Sequence, residues 1–285
     1  MPPSRRGAIG YAGGTGHDAA DARPGPAARG IRGGGDNRVT FYSQFAEYYE
    51  AVFPYRDEVA AFLRRYVPDG SRRVLDAGCG TGHYCGRFAA DGFEVVGIDL
   101  DPQMIDVARR TYPAPTFRCM NLLDVGALPG PFDFVFCIGN VAPHLTQDEF
   151  ARFVGDVANL LRPGAVWVFQ IVNWDYVLAH GGYTFRPRPL ERGGAVFLRE
   201  YREVSESRVR FLTRLVGADR TIFEGDVWLH PLRTDAYLRL HRERGFELLE
   251  HVADFQGTPY ATTSDAGSVF VFRCRRRTAN GAPTP

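Results

Sequence analysis

Two hydrophobic periodicities alternate along residues 55–172. Short apolar runs typical of buried strands occur at Val74-Leu75, Val95–Ile98, Phe117–Met120, Phe132–Ile138 and Ala165–Val172. Between them, apolar residues recur at helical spacing, for example in Val59–Tyr66, Met104–Arg110 and Phe150–Leu161. Strands that alternate with amphipathic helices are joined by right-handed crossovers, so the pattern predicts an α/β fold with a parallel sheet covered on both faces.

The pattern changes after Trp174. Around Ala195–His230 the apolar positions alternate with polar ones at a period of two, as in Val209, Phe211, Thr213 and Leu215, which alternate with arginines. We expect a small antiparallel insertion at about residues 176–232, lying over one edge of the sheet. A helix at Asp235–Arg244 follows, and then two strands that can complete the sheet as an antiparallel pair.

Both ends of the chain differ in composition from its middle. Met1–Arg38 consists mainly of Gly, Ala, Pro and Arg, which cannot bury enough apolar surface to offset the entropy of ordering. The sequence therefore predicts a disordered leader over residues 1–38, one folded domain over 39–274 and a disordered tail over 275–285.

Composition excludes several classes of protein. A formal net charge of +1 and a hydrophobic content of 45% are ordinary for a globular protein and give no global basic field for nucleic acid. No apolar run is long enough for a membrane-spanning helix, and Arg5-Arg6 precedes a glycine-rich stretch rather than an apolar signal core. We expect a cytoplasmic protein.

Lysine and cysteine usage restrict the chemistry further. All 34 basic residues are arginine, which excludes lysine nucleophiles and pyridoxal-phosphate Schiff bases. The five cysteines have no paired C-x-x-C spacing, and no two histidines have metal-ligand spacing. We therefore expect reduced thiols and no metal site.

The most informative segment is a strand that runs into a glycine turn, Val74–Gly82, with Asp76 inside the strand. Glycines allow a tight turn and close approach of a ligand at the carboxyl end of a parallel strand. Asp99 stands about twenty residues later, at the end of the next strand, where a carboxylate accepts from ribose hydroxyls. His83 occupies the position that a dinucleotide fingerprint reserves for a small residue, so the loop favours a ligand with an ammonium group over one with a pyrophosphate.

These residues resemble the class I S-adenosylmethionine (SAM)-dependent methyltransferases. The Phe41–Glu50 stretch is similar to the Tyr-Asp-x-x-Ala-x-x-Tyr-Asp motif of the small-molecule members, which include glycine and sugar N-methyltransferases, although Ser43 and Glu50 replace its two aspartates. The resemblance implies a doubly wound, seven-stranded, mainly parallel sheet that ends in an antiparallel pair. It also implies SAM as the cofactor.

The resemblance assigns roles to individual residues. Asp76 and the backbone at Gly78 and Gly80 would hold the methionine end of SAM, and Asp99 its ribose. Leu100 and Met104 would pack on the adenine, and Asn121 would accept from its amino group. The remaining cofactor residues implied are Tyr42, Tyr49, Cys79, Leu122, Ile138 and Gly139.

Candidates for catalysis follow the fourth strand and lie near the predicted end of the cofactor. His144 is the first candidate for a base or a substrate contact, the alternative being a loop histidine that caps the next helix or packs on SAM. Asn140 and Gln170 border the same edge of the sheet. Tyr42 and Tyr49 can close over the sulfonium, where an aromatic face stabilises a cation, or can simply be packed core.

Candidates for substrate binding follow the fifth strand and continue into the insertion: Asn173, Trp174, Tyr176, Arg199 and Trp228. Polar groups beside aromatic rings suit a pocket for a small molecule. Arg186, Arg188 and Arg199 can pair with a carboxylate or phosphate, although most such residues are solvated surface.

The sequence therefore predicts a SAM-dependent methyltransferase that acts on a small molecule, and it favours an amine as the acceptor. It lacks the Asn/Asp-Pro-Pro-aromatic motif of the enzymes that methylate amines of nucleic-acid bases, since Gly139-Asn140-Val141-Ala142 stands in its place. The alternatives are transfer to oxygen or carbon with His144 as the base, and a SAM-binding regulatory or scaffold protein without transfer activity. An RNA methyltransferase recruited through the arginine-containing ends is a weaker reading, because these ends carry few aromatics for stacking.

Overall fold

The computed structural model describes residues 48–190 and 194–275, and every structural statement below concerns these ranges. The predicted leader at 1–38, Tyr42 and the tail beyond Arg275 lie outside them. The first half of the described chain contains α1 (Tyr49–Val52), α2 (Asp57–Arg65), β1 (Arg73–Ala77), α3 (His83–Ala90), β2 (Glu94–Asp99), α4 (Pro102–Thr111), β3 (Thr116–Cys119), a 3₁₀ helix (Leu122–Ala127), β4 (Phe132–Cys137), a second 3₁₀ turn (Ala142–His144), α5 (Gln147–Leu160) and β5 (Leu161–Val172).

The second half carries the insertion and the end of the sheet. Its elements are α6 (Trp174–His180), β6 (Tyr183–Thr184), β7 (Arg188–Pro189), β8 (Val196–Arg202), β9 (Val209–Val216), β10 (Thr221–Leu229), α7 (Thr234–Glu243), β11 (Phe246–Val252) and β12 (Gly267–Cys274).

The main sheet has seven strands in the order β11-β12-β5-β4-β1-β2-β3. Strands β1 to β5 pair in parallel, and β12 runs antiparallel to both β5 and β11. The predicted doubly wound, mainly parallel sheet with a terminal antiparallel pair is confirmed. The strand order reverses between β1 and β4, the place where open α/β sheets bind their ligands.

Each face of this sheet is covered by helices. Trp167 and Phe169 of β5 belong to a buried cluster that includes Phe150 of α5, whereas Val166 and Val168 belong to a second cluster that includes Phe88 of α3. Successive residues of a strand point to opposite faces, so both faces of β5 are buried. This explains the uninterrupted apolar run in the sequence.

The insertion is a five-stranded antiparallel sheet in the order β10-β9-β8-β6, with β7 also paired to β8. Along β9 the predicted inward residues Val209, Phe211, Thr213 and Leu215 are buried, and Arg214 is exposed. The predicted antiparallel insertion is confirmed. Helix α6, in contrast, begins at Trp174, where the sequence pattern had indicated only the end of a strand.

Candidate functional site

A cavity of about 590 Å³ lies at the carboxyl ends of β1, β2 and β4. Its volume is in the range of pockets that hold a cofactor or a drug-sized ligand. Residues of the main sheet form one side, the segment from Tyr49 to Val59 contributes a second, and β6, β8 and the insertion loops contribute a third. The insertion therefore lines one side of the cavity.

The glycine turn after β1 forms the floor of the cavity. The backbone N–H groups of Gly78 and Cys79 donate to the Ile98 carbonyl of the neighbouring strand at 2.8 and 2.9 Å, which fixes the turn. Gly78 and Gly80 have φ values of 88° and 54°, in the left-handed region that favours glycine. A Cβ at Gly80 would lie 3.1 Å from the Tyr49 ring, so the missing side chain allows Tyr49 to lie against the turn.

Asp76 is a buried carboxyl group with one unsatisfied oxygen. Its side chain is 2% exposed and lines the cavity. The Cys85 thiol donates to Oδ2 at 3.4 Å, while Oδ1 has no hydrogen-bond partner among the described residues. Burial is the main cause that raises the pKa of Asp76 to about 8, and the nearby Asp99 adds to it. A buried acceptor of this kind fits a bound ammonium group.

Asp99 connects the end of β2 to the glycine turn. Its Oδ2 accepts from the Gly80 backbone N–H at 2.8 Å, and its Oδ1 accepts from the Asp101 N–H at 3.0 Å. Burial raises its pKa, and these backbone hydrogen bonds oppose that rise. Each oxygen keeps a further lone pair, so the carboxylate can still accept from two hydroxyl groups.

The other predicted cofactor residues within the described ranges also reach the cavity. These are Tyr49, Gly78, Cys79, Leu100, Met104, Asn121, Leu122, Ile138 and Gly139. The Asn121 oxygen accepts from the Leu123 N–H at 3.0 Å and caps the 3₁₀ helix. Tyr42 lies outside the described residues, so its role stays a prediction.

Asn140 and Gln170 hold the loop that follows β4. Gln170 accepts from the Gly139 N–H at 2.8 Å, and Asn140 accepts from the Val172 N–H at 3.0 Å. Asn140 also donates to the Tyr201 hydroxyl of the insertion at 3.3 Å and has a positive φ of 64°. Both predicted residues line the cavity, where their hydrogen bonds hold the backbone of the loop after β4.

His144 lies in the second 3₁₀ turn and lines the cavity. It does not cap the following helix. Thr146 does, through a capping box in which its hydroxyl accepts from the Glu149 N–H and the Glu149 carboxylate accepts from the Thr146 N–H. The His230 N–H at the end of the insertion donates to the Pro143 carbonyl at 2.7 Å, which attaches the insertion to this turn.

Four predicted substrate residues do not reach the main cavity. Asn173 caps α6 and donates to the carbonyls of Ala261 and Ser264, and Trp174 is buried against Tyr201. Tyr176 borders a small adjoining cavity of about 20 Å³. Trp228 lies outside the lining and packs under the Arg208 guanidinium, whose carbon is 4.3 Å from the ring centre. The start of α6 after β5 turns the first three side chains away from the cavity.

Arg199, the fifth predicted substrate residue, does line the cavity, together with Arg188. Sequence reasoning missed several other lining residues, among them Arg56, Tyr84, Tyr183, Phe185, Tyr201 and Asp265. Those of the insertion sit at alternate positions of short strands, but periodicity alone does not tell which face of a separate sheet meets the cavity.

Two structural findings bear on partners. No group of three or more His, Cys, Asp or Glu side chains in the described ranges is placed to hold a metal ion. In the same ranges, no helix has the length and apolarity needed to cross a membrane.

Comparisons with known proteins agree with the geometry. A sequence-family model described as a methyltransferase domain matches residues 74–164. The chain is 27% identical over 211 residues to the glycine/sarcosine/dimethylglycine N-methyltransferase of Actinopolyspora halophila, an alignment that covers 72% of this chain and 36% of that protein. It is 32% identical over 114 residues to a dTDP-4-amino-2,3,4,6-tetradeoxy-D-glucose N,N-dimethyltransferase of Saccharopolyspora spinosa, covering 40% of this chain and 45% of that protein.

Among solved structures, the fold is similar to that of a SAM-dependent methyltransferase from Clostridium acetobutylicum. The TM-score is 0.69 at 14% sequence identity, and the match covers 82% of this chain and 99% of the other. The buried Asp76 oxygen, the glycine turn and Asp99 fit the ammonium and ribose groups of SAM, which is the cofactor of this family. The family match, the relatives and the fold together support a class I SAM-dependent methyltransferase.

Proposed function

We propose that this protein transfers a methyl group from SAM to the nitrogen of a small-molecule amine. The observation that carries the proposal is that one cavity contains both the Asp76 and Asp99 carboxyl groups and the inward side chains of the insertion. A cofactor bound beside the two aspartates, which we call the cofactor end, can then meet a second small molecule bound beside the insertion, which we call the acceptor end. The two N-methyltransferase relatives support an amine as the acceptor.

The cofactor end is assigned by charge and hydrogen bonding. Asp76 pairs with the amino group of SAM, and Asp99 accepts from the ribose hydroxyls. Arg56 and His83 line the same end, and burial lowers the pKa of His83 to about 4, so this histidine is neutral at physiological pH. Arg56 is the cationic partner that we assign to the carboxylate of SAM.

When bound, SAM supplies a methyl group on a positively charged sulfur. The chain aligns the acceptor with that group and excludes water, which can contribute on the order of 7–11 kcal/mol to lowering the barrier. Asn140 and Gln170 act as positioning residues, because their hydrogen bonds hold the Gly139-Asn140 backbone at the junction of the two ends. Tyr201 receives the Asn140 hydrogen bond and ties the insertion to this junction.

His144 determines how far the chemistry extends beyond amines. A neutral amine already has a free electron pair and needs no base for attack, whereas a hydroxyl or a carbon acid needs one. We assign His144 to contact the acceptor and, where the acceptor is a protonated amine, a hydroxyl or a carbon acid, to take up its proton. Transfer to oxygen or carbon remains the second reading of the same site.

Incubation with methyl-labelled SAM and a metabolite extract of the source organism tests the proposal. We expect a labelled product whose mass spectrum places the methyl group on nitrogen, together with S-adenosylhomocysteine. Calorimetry should show that the protein binds SAM and does not bind NAD. Tight SAM binding with no labelled product would instead favour a regulatory or scaffold protein.

A further inference from the structure

Arg188 and Arg199 lie side by side on the inward face of the insertion sheet. Arg188 of β7 pairs with Phe197 of β8, and Arg199 is two residues further along β8. Side chains two residues apart share one face of a strand, so both arginines lie on the face that carries the buried Phe197 and Tyr201. Two arginines thus lie among aromatic side chains on this face of the insertion sheet.

Neither guanidinium has a carboxylate partner in the described ranges. Four carboxyl groups line the same cavity, namely Asp76, Asp99, Asp101 and Asp265, but among the described residues no ion pair within 4.0 Å joins any of them to Arg188 or Arg199. Arg188 donates to the Val52 carbonyl, whereas the buried Nε of Arg199 has no hydrogen-bond partner among the described residues. A buried cation without a counter-ion is unfavourable, so the pair has capacity for an anion.

The Arg199 side chain is held in place for such an anion. Its guanidinium carbon lies 4.4 Å from the ring centre of Phe185 and 5.6 Å from that of Phe197, so stacking on the two rings fixes the orientation. Burial lowers the pKa of Arg199, and the like charge of Arg188 adds to this effect. Two fixed guanidinium groups that repel each other are well suited to share one oxyanion, which would relieve that repulsion.

We propose that Arg188 and Arg199 form a subsite for an anionic group of the acceptor, so the substrate is an amine that carries a carboxylate or a phosphate. This inference rests on the proposed function, because it concerns the second molecule in the same cavity. Asp265, which accepts from the Tyr183 hydroxyl at 3.3 Å, lines the cavity as well and gives the acceptor end a group of opposite charge.

Calorimetry on the SAM-loaded protein tests the subsite without any turnover. Sodium acetate, inorganic phosphate and neutral acetamide are the three probes. We expect acetate or phosphate to bind and acetamide not to bind, and the better anion indicates which group the substrate carries. Arg199→Gln and Arg188→Gln should each weaken binding of that anion at least tenfold, with the affinity for SAM changed less than twofold.

Arg186→Gln is the matched control, since Arg186 belongs to the same segment but is exposed and outside the cavity lining. It should leave anion binding unchanged. Because Arg199 packs on two rings, circular dichroism and the melting temperature check that its variant folds, and Arg188→Gln gives an independent result. Equal anion binding by the wild type and both cavity variants would overturn the subsite.

A loss of SAM affinity in these two variants would also overturn the inference, because the pair would then hold the carboxylate of the cofactor. Turnover gives a separate result. Ethanolamine and O-phosphoethanolamine, and glycinamide and glycine, form neutral and anionic pairs of amines, and the anionic member should be methylated at least tenfold more efficiently. If neither these amines nor the extract is methylated while the anion still binds through both arginines, the proposed function fails and the subsite stands.

Discussion

Asp76 is the residue whose ionisation responds most directly to the cofactor. Burial raises its pKa to about 8, so the carboxyl group is protonated at pH 6.5 in the cofactor-free protein. An ammonium group beside it favours the carboxylate. We expect SAM binding at pH 6.5 to release about one proton, and affinity to rise up to about tenfold per pH unit towards pH 8. Calorimetry in two buffers of different ionisation enthalpy counts the proton.

Asp76→Asn is the control for this prediction. The amide keeps an acceptor for the Cys85 thiol at nearly the same size but carries no titrating proton. The variant should bind SAM at least about tenfold more weakly. It should also release no proton from this position, and an unchanged proton count would assign the release to another group.

His144 gives a second prediction at the scale of one residue. If its imidazole contacts the acceptor, His144→Ala should lower kcat by about 10²-fold while the dissociation constant of SAM stays within a factor of two. Steady-state kinetics and calorimetry measure the two quantities. His144→Gln can still form hydrogen bonds but does not titrate. The pH profile of kcat in this variant therefore distinguishes a proton-transfer role of His144 from a contact with the acceptor. Equal losses of turnover and SAM affinity would make His144 a cofactor contact.

At the scale of elements, the glycine turn after β1 depends on its neighbour in the loop after β4. A Cβ at Gly78 would lie 2.8 Å from both γ-carbons of Val141. The backbone there also has a φ of 88°, which is unfavourable for any residue with a Cβ. Gly78→Ala should therefore lower the free energy of unfolding by about 2–4 kcal/mol, part from the backbone and part from overpacking.

Val141→Ala removes both γ-carbons and separates the two contributions. The double variant Gly78→Ala/Val141→Ala should recover the overpacking part, while the backbone part of about 1–2 kcal/mol persists. Urea unfolding of the wild type, both single variants and the double variant measures this coupling. Additive effects of the two substitutions would show that the side chains do not meet.

The elements also show how much a sequence can predict. The main sheet follows from local patterns, because each strand and helix carries its own periodicity, and the cofactor residues stand at consecutive strand ends in chain order. The acceptor end is different. Tyr201 and Phe185 reach the cavity only because the insertion packs with that face inward, and Trp174 and Tyr176 turn away because Asn173 starts a helix. Such choices are made by tertiary packing, which a single sequence does not display.

At the scale of the whole molecule, buried titratable groups on different elements act on stability in opposite directions. Burial lowers the pKa of His241 in α7 to about 3 and that of His251 in β11 and His83 in α3 to about 4. Their folded pKa values lie below the unfolded value of about 6.5, so the stability they permit is present above pH 6.5 and is lost as pH falls. Asp76 has the opposite sign, because its folded pKa is raised. Its contribution is complete below about pH 4 and is lost as pH rises towards 8.

Between pH 4 and 6.5 the three histidines change the free energy of unfolding more than the single carboxyl group does. Above pH 6.5 only the carboxyl group titrates among these four. We therefore expect the free energy of unfolding of the cofactor-free protein to be greatest near pH 6.5. It should fall by about 2 kcal/mol towards pH 8, since one pKa unit corresponds to about 1.4 kcal/mol. Urea unfolding at pH 4.5, 6.5 and 8 measures both sides of this maximum.

Asp76→Asn should abolish the alkaline decline and leave the acid side in place, because the histidines lie on other elements. Saturating SAM should also flatten the alkaline side in the wild type, since the ammonium group stabilises the ionised carboxylate. A wild-type stability that is constant from pH 6.5 to 8 without SAM would contradict the raised pKa of Asp76, and with it the argument that this buried acid is kept for a cationic ligand.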